Sequence, residues 1–209
     1  MKTMLIIMTA SLMGFSSCKK EETNGNSNTI TLTTQEKSDL IFLREEEKLA
    51  HDVYVYAFAK YGLVPFSNIS SSEAVHMSNV LVLLNKYNIP DPVKNNPEGV
   101  FTDTVLQNLY NDLIVKVNLS SKAALEVGAT IEDLDIHDIL GFYSHTSKAD
   151  IIQVYDLLTC GSRNHIRAYA GQLEMQSVTY LPQFIAQVEY DAILAAPHEQ
   201  CGMILRNAK

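Results

Sequence analysis

The chain has 209 residues, 46% of them hydrophobic and 19% charged, a mixture that can bury a core and that excludes disorder over most of its length. Its formal net charge of −8 leaves no cationic footprint of the kind that neutralises phosphate backbones, so nucleic acid is not an expected partner.

Lys2 is followed by the apolar run Met4 to Phe15, then Ser16, Ser17 and Cys18. The run is too short to span a bilayer and reads as a targeting segment. A cysteine directly after a short apolar run and two serines resembles the lipobox of bacterial lipoproteins. That resemblance implies a signal over residues 1–17, a lipid on Cys18, and an exported protein anchored to a membrane and facing the periplasm or the cell surface. A plain secretory signal cut nearby is the alternative. Residues 18–35 are polar, without an apolar period, and predict a flexible tether. Cys160 and Cys201 remain in a compartment where a disulfide can persist, and spacing alone leaves a bridge and two free thiols equally open.

From Glu36 to about Tyr61 the apolar residues Leu43, Ala50, Val53, Tyr54 and Ala57 recur at helical spacing, with Arg44, Lys48, His51 and Asp52 on the opposite side. Gly62 and Pro65 predict a break, and Ser70, Ser71 or Ser72 a cap for a second helix running to about Tyr87. The proline-rich stretch "NIPDPVKNNPEGVF" predicts a long connection, followed by a shorter helix over about 102–116. Long helices then follow over about 121–142 and 148–177, and a short helix with an irregular tail over 181–209. Little of the chain alternates at period two. The expected fold is all-α: a ferritin-like four-helix bundle over residues 36–180, built as two antiparallel hairpins joined by a long connection.

Acids and histidines on the apolar faces carry the functional signal, because a buried charge is costly unless it is paired or holds a metal. At ~100° per residue, Glu73 and His76 fall on the apolar face of the second helix. Glu132 and Asp135 sit within the face made by Ala124, Gly128, Ile131 and Ile139, while Glu126 and Asp133 fall on the polar side. His165 lies at the centre of the face made by Leu158, Gly161 and Tyr169, with Arg163 and Arg167 pointing outward. On the first helix either Glu46 or Glu47 could reach the core. Taken singly, each residue is more often a dipole-favoured acid or a hydrogen-bonded core histidine. Taken together, this oxygen and nitrogen set with no thiolate suits a dinuclear iron or manganese centre.

The segments "LREEEKLAHDVYVYAFAKYG", "FSNISSSEAVHM", "ALEVGATIEDLDIHDI" and "GSRNHIRAY" resemble the successive signatures of a bacterial ferritin-like family catalogued as a domain of unknown function, and more distantly rubrerythrin. In that superfamily a glutamate on the first helix precedes a tyrosine by seven positions, as Glu47 precedes Tyr54. A Glu-x-x-His on the second matches Glu73 and His76. The second half departs from the pattern: Ser162 stands three residues before His165 where a carboxylate is expected, and Asp135 is the candidate to replace it. Tyr54 and Ser162 are then expected just outside the ligands. The resemblance implies redox chemistry with peroxide or dioxygen, as a peroxidase or ferroxidase. The alternatives are a non-catalytic metal-sequestering lipoprotein and an interaction module with a vestigial polar core. Whether the chain forms a homodimer is left open.

Overall fold

The structure, a computed structural model, describes residues 31–202; the expected signal 1–17, the anchor Cys18 and most of the tether lie outside that range. Among the described residues there are six α-helices and no strand. These are α1 (Thr34–Tyr61), α2 (Val64–Lys86), α3 (Thr104–Val117), α4 (Ser121–Phe142), α5 (Ala149–Glu174) and α6 (Gln187–Ala195). The fold is therefore all-α. The longest helices pack as two pairs, α1 with α2 and α4 with α5, and the pairs meet with α1 against α4 and α2 against α5. The long connection between them contains α3, which packs on α1 and α4.

Local chemistry sets the helix ends. Thr33 caps α1 through its side chain while Glu36 reaches back to the Thr33 N–H, a reciprocal box in which such a cap is worth ~1 kcal/mol. Gly62 ends α1 at φ 65°, a conformation that favours glycine. The expected break falls at Gly62 and Leu63, ahead of Pro65. Pro65 lies in the first turn of α2, where its missing N–H costs nothing, and it starts the helix six residues ahead of the serines read as its cap. Ser70 and Ser71 instead lie inside α2 and donate back to the Ser67 carbonyl.

The polar faces read from the wheels are not all solvent-facing. Arg44, Lys48 and Asp52 are buried because the 88–103 connection folds over that side of α1. Arg44 donates to both oxygens of Asp91 and to the Met77 carbonyl. Lys48 pairs with Asp52 and donates to the Pro97 carbonyl. Asp133 is completely buried, not on a polar face: it accepts from Tyr180 and from the backbone N–H groups of Gln183, Phe184 and Ile185, which clamps the segment leading into α6. A helical wheel reports one helix against a single core; these helices are covered on a second side by their own connections.

Candidate metal centre

Four helices each deliver ligand-type side chains to one buried point: Glu47 from α1, Glu73 and His76 from α2, Glu132 from α4 and His165 from α5. All five are at most 8% exposed. Glu73 and His76 are three residues apart, so one face of α2 presents both. Glu47, Glu73 and His76 offer ligand atoms within 4.8 Å of one another, and Glu73, Glu132 and His165 form a second such group. Glu73 belongs to both.

His76 Nδ1 is 2.7 Å from Glu73 Oε2 and 3.1 Å from Glu47 Oε2. His165 Nδ1 is 2.8 Å from Glu73 Oε1 and 3.3 Å from Glu132 Oε2. In each case the nearer oxygen, that of Glu73, lacks hydrogen-bond alignment with the ring, and Glu73 Oε1 has no hydrogen-bond partner at all. In each group the ligand atoms are close enough together to share one cation. The two rings lie nearly parallel, with centroids 5.5 Å apart.

The surroundings hold these side chains in place. Tyr54 donates its hydroxyl to Glu132 Oε1 at 2.6 Å. His165 Nε2 meets Ser72 Oγ at 3.0 Å, leaving Nδ1 for the centre. Gly161 makes room for His76, since a Cβ there would lie 2.5 Å from the ring. Ser162 Oγ donates to the Leu158 carbonyl within α5 and contacts none of the five ligands.

Glu46 and Asp135 belong to neither group. Each is 1% exposed, and both Glu46 oxygens and Asp135 Oδ1 lack any hydrogen-bond partner. Burial, then Asp138 and Glu47, push the Glu46 carboxyl well above its ordinary range. Burial, then Glu46 and Glu132, do the same to Asp135. Asp135 is in neither group, and the charges acting on it are those of Glu46, Glu132, Glu47 and Glu73.

Burial and the close approach of acids to imidazoles set the electrostatics of the cluster. Burial pushes Glu47 up to about 8 against the pull of His76. Burial alone would lower His165, yet the Glu132 and Glu73 carboxylates outweigh it and push the ring up to about 10. Glu73 is held below its usual range, because His76 and His165 together outweigh its desolvation. Imidazolium groups supply the positive charge that the carboxylates require.

Beside the two histidines a cleft of about 470 Å³ opens between α2 and α5, lined in part by Ser72, Gly161 and Asn164. Residues 198–202 form its outer wall. Cys160 and Cys201 are joined in a disulfide with a Cα–Cα distance of 5.6 Å, which tethers that wall to α5. Glu199 adds ion pairs to Arg163 and Arg167, the two arginines read as outward-facing. Sequence reasoning missed this wall; its signal was the pairing of Cys160 with Cys201, which spacing could not decide.

A family described as an uncharacterized protein domain (DUF2202) matches residues 36–197. Uncharacterized protein MJ0754 of Methanocaldococcus jannaschii is 47% identical over 169 residues, covering 81% of this chain and 91% of that one. The crystal structure of hypothetical protein MJ0754 from Methanococcus jannaschii superposes with a TM-score of 0.79 at 47% identity, over 80% of this chain and 96% of that chain. A relative in an archaeon means that this family is not confined to bacteria.

Proposed function

The chain belongs to the DUF2202 family, and on that footing we propose that it is a ferritin-like metalloprotein holding two iron or manganese ions between α1, α2, α4 and α5. The observation that carries this reading is the pair of buried Glu, Glu and His groups that share Glu73. Oxygen and imidazole donors without thiolate suit iron or manganese better than a structural zinc. The charges also fit. The three carboxylates of Glu47, Glu73 and Glu132 offset three of the four positive charges of two divalent ions, whereas unpaired buried carboxylates cost several kcal/mol each. The packing of two helix pairs, with the long connection between them, favours the four-helix bundle of the ferritin type.

Iron or manganese bound here supplies electron transfer to peroxide or dioxygen. The chain's own part is positional: Glu73 faces both ion positions, Tyr54 holds Glu132, and Ser72 orients His165. The cleft beside the histidines gives small molecules access, while the apolar core excludes bulk water from the rest of the centre. Residues 4–18 support export and a lipid anchor at Cys18, which brings this chemistry to a membrane surface.

Elemental analysis of protein purified without a metal-affinity tag tests the reading. The expected result is close to two iron or manganese per chain, falling below one in Glu73→Gln. Metal-free parent protein, with Glu73→Gln equally stable, sinks the proposal. Stoichiometric metal without peroxide consumption assigns the centre to sequestration instead of turnover.

A further inference from the structure

One side of α5 is given over to the segment that follows α6. Cys160, Arg163, Asn164 and Arg167 stand at positions i, i+3, i+4 and i+7, which puts all four on the same face of the helix. Cys160 is bonded to Cys201. Asn164 brackets the backbone of Glu199: its Nδ2 donates to the Glu199 carbonyl at 2.9 Å, and its Oδ1 accepts the Glu199 N–H at 2.9 Å. Arg163 Nε and Arg167 Nη2 each donate to Glu199 Oε1 at 2.8 Å.

These bonds fasten the segment along one edge only. Among the described residues, every hydrogen bond and ion pair that leaves residues 198–202 goes to α5, and none goes to α2. The cleft they wall nevertheless has Ser72 and Val75 of α2 on its other side, with the rings of His76 and His165 in its lining. The wall can therefore lift away from α2 without breaking a bond to it.

The fastenings differ in strength. The side chains of Arg163 and Glu199 are each 29% exposed and that of Arg167 14%, so water screens their ion pairs, and such pairs are worth little by themselves. The covalent bridge is what keeps the segment down. Its two sulfurs are unequal: Cys160 is 1% exposed, whereas Cys201 is half-buried, lines the cleft and accepts from Asn164 Nδ2 at 3.3 Å. Thiol–disulfide exchange starts at the sulfur that a thiolate can reach, here that of Cys201.

We propose that the Cys160–Cys201 bridge is a redox latch on the histidine side of the cluster, opened by a dithiol reductant. One thiolate of the dithiol attacks Cys201 Sγ, the S–S bond breaks, and Cys160 leaves as a thiolate that takes up a proton. The second thiol of the reductant then displaces Cys201. Two electrons pass to the bridge, the reductant becomes a disulfide, and Cys160 and Cys201 become thiols. Residues 198–202 keep only their screened contacts, and the rings of His76 and His165 open to solvent. As the regulation of a metal centre the latch rests on the reading above; as a gate over two rings it is tested on metal-free protein.

The test is histidine modification by diethyl pyrocarbonate, located by peptide mass spectrometry, in metal-free protein before and after reduction with dithiothreitol and removal of the reductant. Reduction is expected to speed modification of His76 and His165 by about tenfold or more, because a segment without its tether opens at a free-energy cost near zero. His137, exposed on α4, is expected to react alike in both states. Glu199→Gln is expected to match the parent while the bridge is intact and to exceed it after reduction. Unchanged rates at both rings in the reduced protein overturn the latch. A rise at His51 on α1 equal to that at His76 makes the bridge a staple of the whole fold and also overturns it. Glu199→Gln that exposes the rings with the bridge intact assigns closure to the ion pairs, with the same consequence. Parent protein purified without metal, its rings still responding to the bridge, sinks the metal-binding reading and leaves the latch standing.

Discussion

Gly161→Ala is the sharpest test of the centre's geometry. A Cβ at position 161 would lie 2.5 Å from both Cε1 and Nε2 of His76. Carbon atoms pack at ~3.5–4.0 Å, so the ring must retreat by about 1 Å. His76 Nδ1 is held 2.7 Å from Glu73 and 3.1 Å from Glu47, and a shift of that size pulls it out of its group. Two energies compete. Alanine gains ~1 kcal/mol over glycine in a helix interior, whereas a methyl forced into a packed core costs ~1–3 kcal/mol. The net expectation is a loss of about 0–2 kcal/mol in the metal-free protein, the difference between those two ranges. Gly171, on the same helix with nothing within 4 Å of an added Cβ, isolates the propensity effect, and Gly171→Ala should gain up to ~1 kcal/mol. Denaturant unfolding of both metal-free variants, with metal content after reloading, measures the two consequences. Gly161→Ala should retain at most one metal per chain. If it is stabilised like Gly171→Ala and still binds two, His76 does not pack against α5 as described and the reasoning fails.

Tyr54→Phe removes the donor to Glu132, and should cost ~1–3 kcal/mol for the buried oxygen left behind and ~10–100-fold in metal affinity, read by chelator competition. Reducing the Cys160–Cys201 bridge, which spans 41 residues, should lower stability by ~4 kcal/mol on the loop-closure relation. Because residues 198–202 then lose their tether, metal should also leave to a chelator faster; unchanged release would show that this wall does not limit access. Metal binding should strengthen as pH rises. In the metal-free protein Glu47 at about 8 and His165 at about 10 both carry protons at pH 7, and a cation must displace them. Calorimetry in buffers of different ionisation enthalpy should register that proton release. The same raised His165 works in the opposite direction on folding of the metal-free chain. Its contribution is complete below its ordinary 6.5 and is lost as pH rises through about 10, so metal-free stability should fall over that window.

The helical reading of the sequence was accurate where one periodic face met one core, as over Ser121–Phe142, and it failed where position within a helix decided the outcome. Pro65 looked like a breaker because proline disrupts helix interiors, yet in the first turn of a helix the same ring is harmless. Asp133 and Lys48 looked solvated because a wheel cannot show a loop from another part of the chain folding over them. Glu46 and Glu47 were equally good candidates on α1; both are buried, but only Glu47 reaches His76.

By itself the sequence determined where the long helices run and that Glu73, His76, Glu132, Asp135 and His165 turn inward, because both follow from the 3.6-residue period and from the cost of burying charge. Tertiary structure alone decided who meets whom. It gave Glu73 to both histidines, joined Cys160 to Cys201, and brought residues 198–202 over the histidine edges. Each of these is a distance between helices or loops far apart in the chain, and a periodicity along one helix holds no information about the separation or rotation of its neighbours.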